Sequence, residues 1–178
     1  TAAGIETLKQ ERSQNASLGF TAKLSKAFTL TVDGYWVKVK DRVVLSGQFS
    51  ADDEGLDPAL TNAMKDLDVA LAQFFANAVN TTNRGIDLVL EYNKRFGSRS
   101  FKALLTGNIQ SMDIDKINVP DKLNGTADLR ATFLTEREQK FILASAPNAK
   151  FGLTLEHNWS KLGLGLRFTY FGKTTLLG

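Results

Sequence analysis

The sequence predicts an all-β protein: an antiparallel up-and-down meander with one helix in a long loop. Three observations carry that expectation. A two-residue alternation of apolar and polar side chains keeps returning along the chain, the connections between these stretches are either very short or very long, and one stretch has apolar residues every three or four positions. A period of two places successive side chains on opposite faces of a strand, whereas a period near 3.6 gathers them on one side of a helix.

Ala16, Leu18, Phe20, Ala22 and Leu24 open the series, interleaved with Asn15, Ser17, Gly19, Thr21 and Lys23. Phe28, Leu30 and Val32 follow against Thr29, Thr31 and Asp33, then Ile86, Leu88, Leu90 and Tyr92 against Asp87, Glu91 and Asn93. Phe101, Ala103, Leu105 and Ile109 form a fourth apolar face. Phe151, Leu153, Leu155, His157 and Trp159 form a fifth, and Leu162, Leu164, Leu166, Phe168 and Tyr170 a sixth. Each stretch is a strand with one greasy and one wet face.

Ser25-Lys26-Ala27, Gly97-Ser98-Arg99 and Ser160-Lys161 are tight hairpin connections. The other two connections run over about 50–82 and 114–149. Short turns at one end and long loops at the other are the arrangement of outer-membrane barrels, with the short turns periplasmic. The apolar faces at 16–24, 101–109, 151–159 and 162–170 match the roughly 9–11 residues that a tilted strand needs to cross the hydrocarbon layer. The six strands are therefore read as a portion of a transmembrane outer-membrane β-barrel, placed in the cell outer membrane.

Composition excludes other classes. With 178 residues, 43% hydrophobic and 23% charged, the chain has the make-up of one folded domain. Its 22 basic residues face 19 acidic ones, a balance that gives no warrant for a nucleic-acid partner. There is no Cys and one His, which excludes disulfides, thiolate chemistry and His-cluster zinc sites. No apolar run is long enough for a membrane-spanning helix. The Thr1-Ala2-Ala3 start has no signal-peptide pattern, so none is expected in this chain.

Aromatic residues gather at both ends of the strands: Phe28, Phe96, Phe101 and Trp159 near the short turns, and Tyr35, Trp36, Phe168, Tyr170 and Phe171 toward the other end. Two girdles are expected where amphipathic rings meet lipid headgroups. After Trp36 the apolar parity changes to Val37, Val39, Val43 and Leu45, with Lys38, Lys40 and Arg42 between. A bulge near 35–37 or a strand protruding beyond the bilayer would produce this. The protruding strand is preferred, because Lys38, Lys40 and Arg42 are poorly placed in lipid.

The first long loop carries the helix. Asp57 is its N-cap and Pro58 its first residue, with Leu60, Met64, Leu67, Leu71, Phe74 and Ala78 on one side. It is expected to pack on neighbouring loops; the alternative has Phe74 and Phe75 facing a ligand. The second long loop, with Pro120 and the 121–125 stretch, reads as irregular or partly β.

Several stretches carry a family resemblance. Leu8-Lys9-Gln10-Glu11-Arg12-Ser13-Gln14-Asn15 leads into Leu18-Gly19-Phe20; Leu30-Thr31-Val32-Asp33-Gly34-Tyr35-Trp36 continues to Val43; and Phe74-Phe75-Ala76-Asn77-Ala78 continues to Gly85-Ile86-Asp87. With Arg137-Glu138-Gln139 and Ala144-Ser145-Ala146-Pro147, their order and spacing resemble the C-terminal part of the β-barrel domain of a TonB-dependent outer-membrane receptor. The resemblance implies a barrel of about 22 strands filled by a plug, driven by a TonB complex engaged through an N-terminal part. It implies import of a scarce or bulky nutrient: iron chelate, cobalamin, oligosaccharide or peptide. Six strands without plug or coupling segment, ending at Thr174-Thr175-Leu176-Leu177-Gly178, are expected to be a truncated piece of it. Its partners would be outer-membrane lipid, the missing plug and remaining strands, and a small nutrient ligand.

The residues themselves assign no catalytic, cofactor or metal site, and no substrate-binding residues. His157 lies two residues before a short turn, on the parity of Leu155 and Trp159, as an interface residue. Asp52-Asp53-Glu54-Gly55 and Asp113-Ile114-Asp115 could offer oxygen ligands to Ca²⁺ but match no EF-hand loop and read as solvated loops. Asp33, Asp87, Glu91, Lys102, Glu156 and Arg167 fall on the wet parity, where opposite charges on adjacent strands could pair. Arg137-Glu138-Gln139-Lys140 reads as a solvated face. No nucleophilic triad or phosphate-cradling loop is present, so the chain is not read as an enzyme. The competing reading is a soluble up-and-down β-barrel that binds an apolar ligand in its interior.

Overall fold

The structure is a computed structural model and describes residues 7–175. The Thr1-Ala2-Ala3 start and the closing Leu176-Leu177-Gly178 lie outside the described residues. In chain order the elements are β1 (Arg12–Lys23), β2 (Phe28–Leu45), β3 (Phe49–Ser50), α1 (Pro58–Asp66), β4 (Leu71–Ala72), β5 (Phe75–Phe96) and β6 (Arg99–Ile117). A 3-10 turn (Asp121–Leu123), α2 (Ala127–Phe133), α3 (Glu136–Leu143), β7 (Ala149–Trp159) and β8 (Leu162–Phe171) complete it. Six strands form one sheet in the order β1-β2-β5-β6-β7-β8, antiparallel throughout, while β3 and β4 make a separate small hairpin.

Register turns the alternation of the sequence into two continuous faces. One line of partners across the sheet reads Ala22, Leu30, Leu90, Leu105, Leu153, Phe168. The neighbouring line, one residue away on each strand, reads Thr21, Thr31, Val89, Thr106, Gly152, Thr169. Among the described residues nothing packs on the apolar face: Leu18 is 85% exposed and Leu162 66%. An apolar surface running across six strands is far larger than water-exposed patches normally are, and it has the character of the outward face of a membrane barrel.

The buried core lies elsewhere, at the long-loop end. Phe49, Leu60, Leu123 and Phe133 from the loops pack with Val79 of β5, joined by Ile114 and Ile117 of β6. Asp57 caps α1 by accepting the Ala59 N–H at 2.9 Å, and Leu60 and Met64 are its buried side. The helix stops sooner than its apolar spacing suggests. Leu67 is the C-cap and Asp68 takes a positive φ of 53°, a conformation that ends a helix. Leu71 then enters β4, while Ala78 belongs to β5. Phe74 packs its ring 6.2 Å from Phe49 in this core, leaving only Phe75 exposed.

The second long loop is more helical than its sequence suggests. Thr126 caps α2 by accepting the Leu129 N–H at 3.2 Å, and the Thr135 N–H donates to Glu138 Oε2 at 3.1 Å at the start of α3. Both helices are too short to show a period clearly against their surroundings, but their capping residues stand in the sequence. Lys122 and Asp57 join the two loops through an ion pair of 3.1 Å.

The parity change after Trp36 has a simple cause. The β1–β2 ladder runs unbroken from Lys23↔Thr29 to Arg12↔Lys40, so there is no bulge at 35–37 and the strand protrudes. Its surroundings change instead. Below Trp36 the belt face is apolar; above it, that face carries Lys38, Arg84 and Asp113, while the opposite side is covered by the loop core. An irregularity does occur higher up, between Val39 and Val43, centred on Asp41 with φ 58°.

Candidate functional site

The wet face of the sheet, beneath the long loops, is the region with organised polar chemistry. Tyr35 leaves the expected aromatic girdle and points to this face, where its hydroxyl donates to Gln110 Oε1 at 3.4 Å and accepts from Asn108 Nδ2 at 3.2 Å. Asn108 also donates to Asp87 Oδ1 at 2.8 Å, and Asn83 donates to Gln110 Oε1 at 3.1 Å. Gln110 Nε2 reaches the Pro147 carbonyl at 3.1 Å, so the end of the second long loop is folded onto this face. The Asn83 Oδ1 atom is buried in the network without a partner among the described residues.

Above the network, between the top of β2 and α3, lies a cavity of about 600 Å³ lined by Arg42, Gln73, Arg137, Glu138, Phe141 and Ser145 among others. This volume falls in the range of small-molecule sites. Arg42, at the Asp41 irregularity, points to Met112, whose register partner Asn83 belongs to the polar face. Arg137 sits over Phe141 at 5.6 Å. Of the 137–140 run, Arg137 and Glu138 line this cavity, and Arg137 remains exposed to water.

The predicted candidates fall in different places. Asp33 and Asp87 oppose each other on the polar face, and Lys102 opposes Glu156. Among the described residues, none of Asp33, Asp87, Glu91, Lys102, Glu156 and Arg167 makes an ion pair. Asp113 and Asp115 are not in a loop: β6 continues through them. Asp113 pairs with Arg84 at 2.8 Å, and Asp115 lies 3.6 Å from Lys38 while accepting from Thr82 at 2.7 Å. Asp53 is spent on the Ser50 N–H at 2.9 Å. No group of three or more potential metal ligands occurs among the described residues.

At the short-turn end the expected aromatic row is continuous across four strands. Phe28 meets Tyr92 at 4.6 Å, Tyr92 meets Phe101 at 6.0 Å, Phe101 meets His157 at 6.1 Å, and His157 meets Trp159 at 4.1 Å. His157 is therefore an interface ring within this row. At the other end Trp36 and Tyr170 keep to the belt, while Phe171 turns away and carries Lys150 at 5.2 Å from its ring.

A sheet with a lipid-matched apolar belt, a polar opposite face and loops folded over one end is a section of transmembrane barrel wall. The family model described as TonB dependent receptor-like, beta-barrel, matches residues 1–177, and the chain belongs to this family. No curated protein and no solved structure matches the chain. Membership supports an outer-membrane receptor and transporter in general, a transport role and not a catalytic one.

Proposed function

We propose that this chain is part of the wall of a larger closed barrel that imports a scarce or bulky nutrient, an iron chelate, cobalamin, oligosaccharide or peptide, through energy supplied by a TonB complex. The long loops face outside the cell and the short turns the periplasm. The observation that carries the reading is the one-sided belt: apolar side chains across all six strands, bounded at the short-turn end by an aromatic row, opposite a polar face roofed by loops. β1 and β8 each leave one edge unpaired in this sheet. Unpaired backbone groups in hydrocarbon cost several kcal/mol each, so further strands are expected to close the wall, and family membership adds the expectation of a plug within it.

Trp36 and Trp159, the two tryptophans of the chain, both lie on the belt at opposite ends, which makes them intrinsic probes. The protein is reconstituted in vesicles whose acyl chains carry bromine near the headgroup. Quenching of both tryptophans, with protection from aqueous acrylamide, is the expected result. Emission indifferent to the bromine would favour the soluble barrel with its apolar face turned inward. Nutrient-limited uptake in cells with and without the gene then separates the four ligand classes.

A further inference from the structure

The cavity between β2 and α3 contains two cations, half-buried Arg42 and exposed Arg137, that make no ion pair among the described residues. Four cations toward the long-loop end have carboxylate partners, Arg12 with Asp41, Lys38 with Asp115, Arg84 with Asp113 and Lys122 with Asp57, and Lys40, Lys65, Lys116 and Arg130 are exposed to water. Arg42 is half-buried, and its hydrogen-bond partner is the thioether of Met112 at 3.8 Å, a weak acceptor. Arg137 has the ring of Phe141 and no carboxylate. The one carboxylate of the lining, Glu138, accepts the N–H and hydroxyl of Thr135 on Oε2 and makes no ion pair with either arginine among the described residues. Gln73 donates to the Ser46 carbonyl at 2.9 Å and adds no charge.

A guanidinium offers five donors in a rigid fork matched to the two oxygens of a carboxylate. Holding one half out of water against sulfur is costly unless an oxyanion completes it. Phe141, Ile142 and Leu45 supply apolar wall beside the two arginines. The geometry points to Arg42 and Arg137 as the recognition pair for a ligand that carries a carboxylate next to an apolar body, taken up at the loop end of the polar face. The assignment rests on the receptor reading above and supplies the ligand class for it.

The test uses phthalate as the probe, with dimethyl phthalate as its uncharged analogue and phenyl phosphate as the phosphate arm. Binding to the intact protein in detergent micelles is followed by saturation-transfer NMR. A charge-assisted hydrogen bond of this kind corresponds to about tenfold or more in affinity. Phthalate is expected to bind saturably and the diester at least about tenfold more weakly. Arg42→Met should lose a similar factor, while Lys38→Met, on the opposite face, should bind as the parent does. Equal binding of acid and diester, full binding by Arg42→Met, or binding of phenyl phosphate alone would overturn the assignment. Should Arg42→Met fail to fold, Arg42→Lys and Arg137→Ala carry the test: each must weaken phthalate binding, and parent-like affinity in both overturns it. Tryptophan quenching on the same preparation separates the two readings. Quenched tryptophans without phthalate binding sink this assignment and leave the receptor standing, whereas unquenched tryptophans sink the receptor.

Discussion

The phenol of Tyr35 occupies the space that a side chain at Gly85 would need, the two residues being register partners on adjacent strands. A Cβ at position 85 would meet the Tyr35 hydroxyl and would lie 2.7 Å from the Ile109 carbonyl oxygen. That oxygen is backbone and cannot move aside cheaply. Gly85→Ala should therefore destabilise the sheet by about 1–3 kcal/mol and break the Tyr35 bonds to Asn108 and Gln110. Urea unfolding in micelles measures the first effect, and exchange of the Asn108 side-chain amide protons the second. A variant as stable as the parent would show that the tyrosine does not fill this gap.

Strand existence and the two faces were legible because a sheet with one apolar and one polar side imposes a strict period of two, and the three hairpins were legible from their short connections, which in the structure are 24–27, 97–98 and 160–161. Three things were not legible, each for a physical reason. The parity change after Trp36 looks the same in sequence whether a strand slips or its surroundings change, and only the unbroken Lys38–Gln14 and Tyr35–Ser17 pairing distinguishes them. The polar network needed register: Tyr35 and Gln110 are 75 positions apart and nothing local links them. Asp113 and Asp115 looked like loop residues because charge dominates there, yet the neighbouring strands provide Arg84 and Lys38 and the ladder continues through them.

The joint between the two long loops should respond to acid. The Lys122 ammonium, and next the Ala59 N–H, hold the Asp57 carboxyl below its ordinary value of 3.8. A carboxylate with a lowered folded-state pKa adds stability above its unfolded value and loses it as pH falls through the folded one. Protection of the Ala59 amide against hydrogen exchange should thus fall as pH drops below about 4, a window set by the ordinary carboxylate value. Asp57→Asn should lose that dependence. An equally steep acid response in the variant would place its origin in another group.

Asn80 holds the backbone irregularity that sets Arg42. Its Oδ1 accepts the Asp41 N–H at 3.0 Å, and Asn77 donates to the Asp41 carbonyl at 2.6 Å from the other side. Asn80→Ala leaves the Asp41 N–H without its acceptor in a left-handed conformation. The expected cost is about 1–3 kcal/mol, confined to the long-loop end. Hydrogen exchange should quicken around residues 40–43 and remain unchanged in β7 and β8. Uniform quickening across the sheet would contradict a local role.

His157 contributes a ring to the aromatic row and pays for one nitrogen that the row cannot satisfy. Its Nε2 is buried with no hydrogen-bond partner among the described residues, between Phe101 and the edge of Trp159. Phenylalanine keeps a ring in the same place and removes the unmet polar atom. His157→Phe should raise stability by about 1 kcal/mol, the lower end of the penalty for a buried unpaired group, seen as a higher urea midpoint with an unchanged slope. His157 is only half-buried, so overpacking is not expected to cancel the gain. A loss of stability of similar size would show that the Nε2 atom is satisfied in the folded protein.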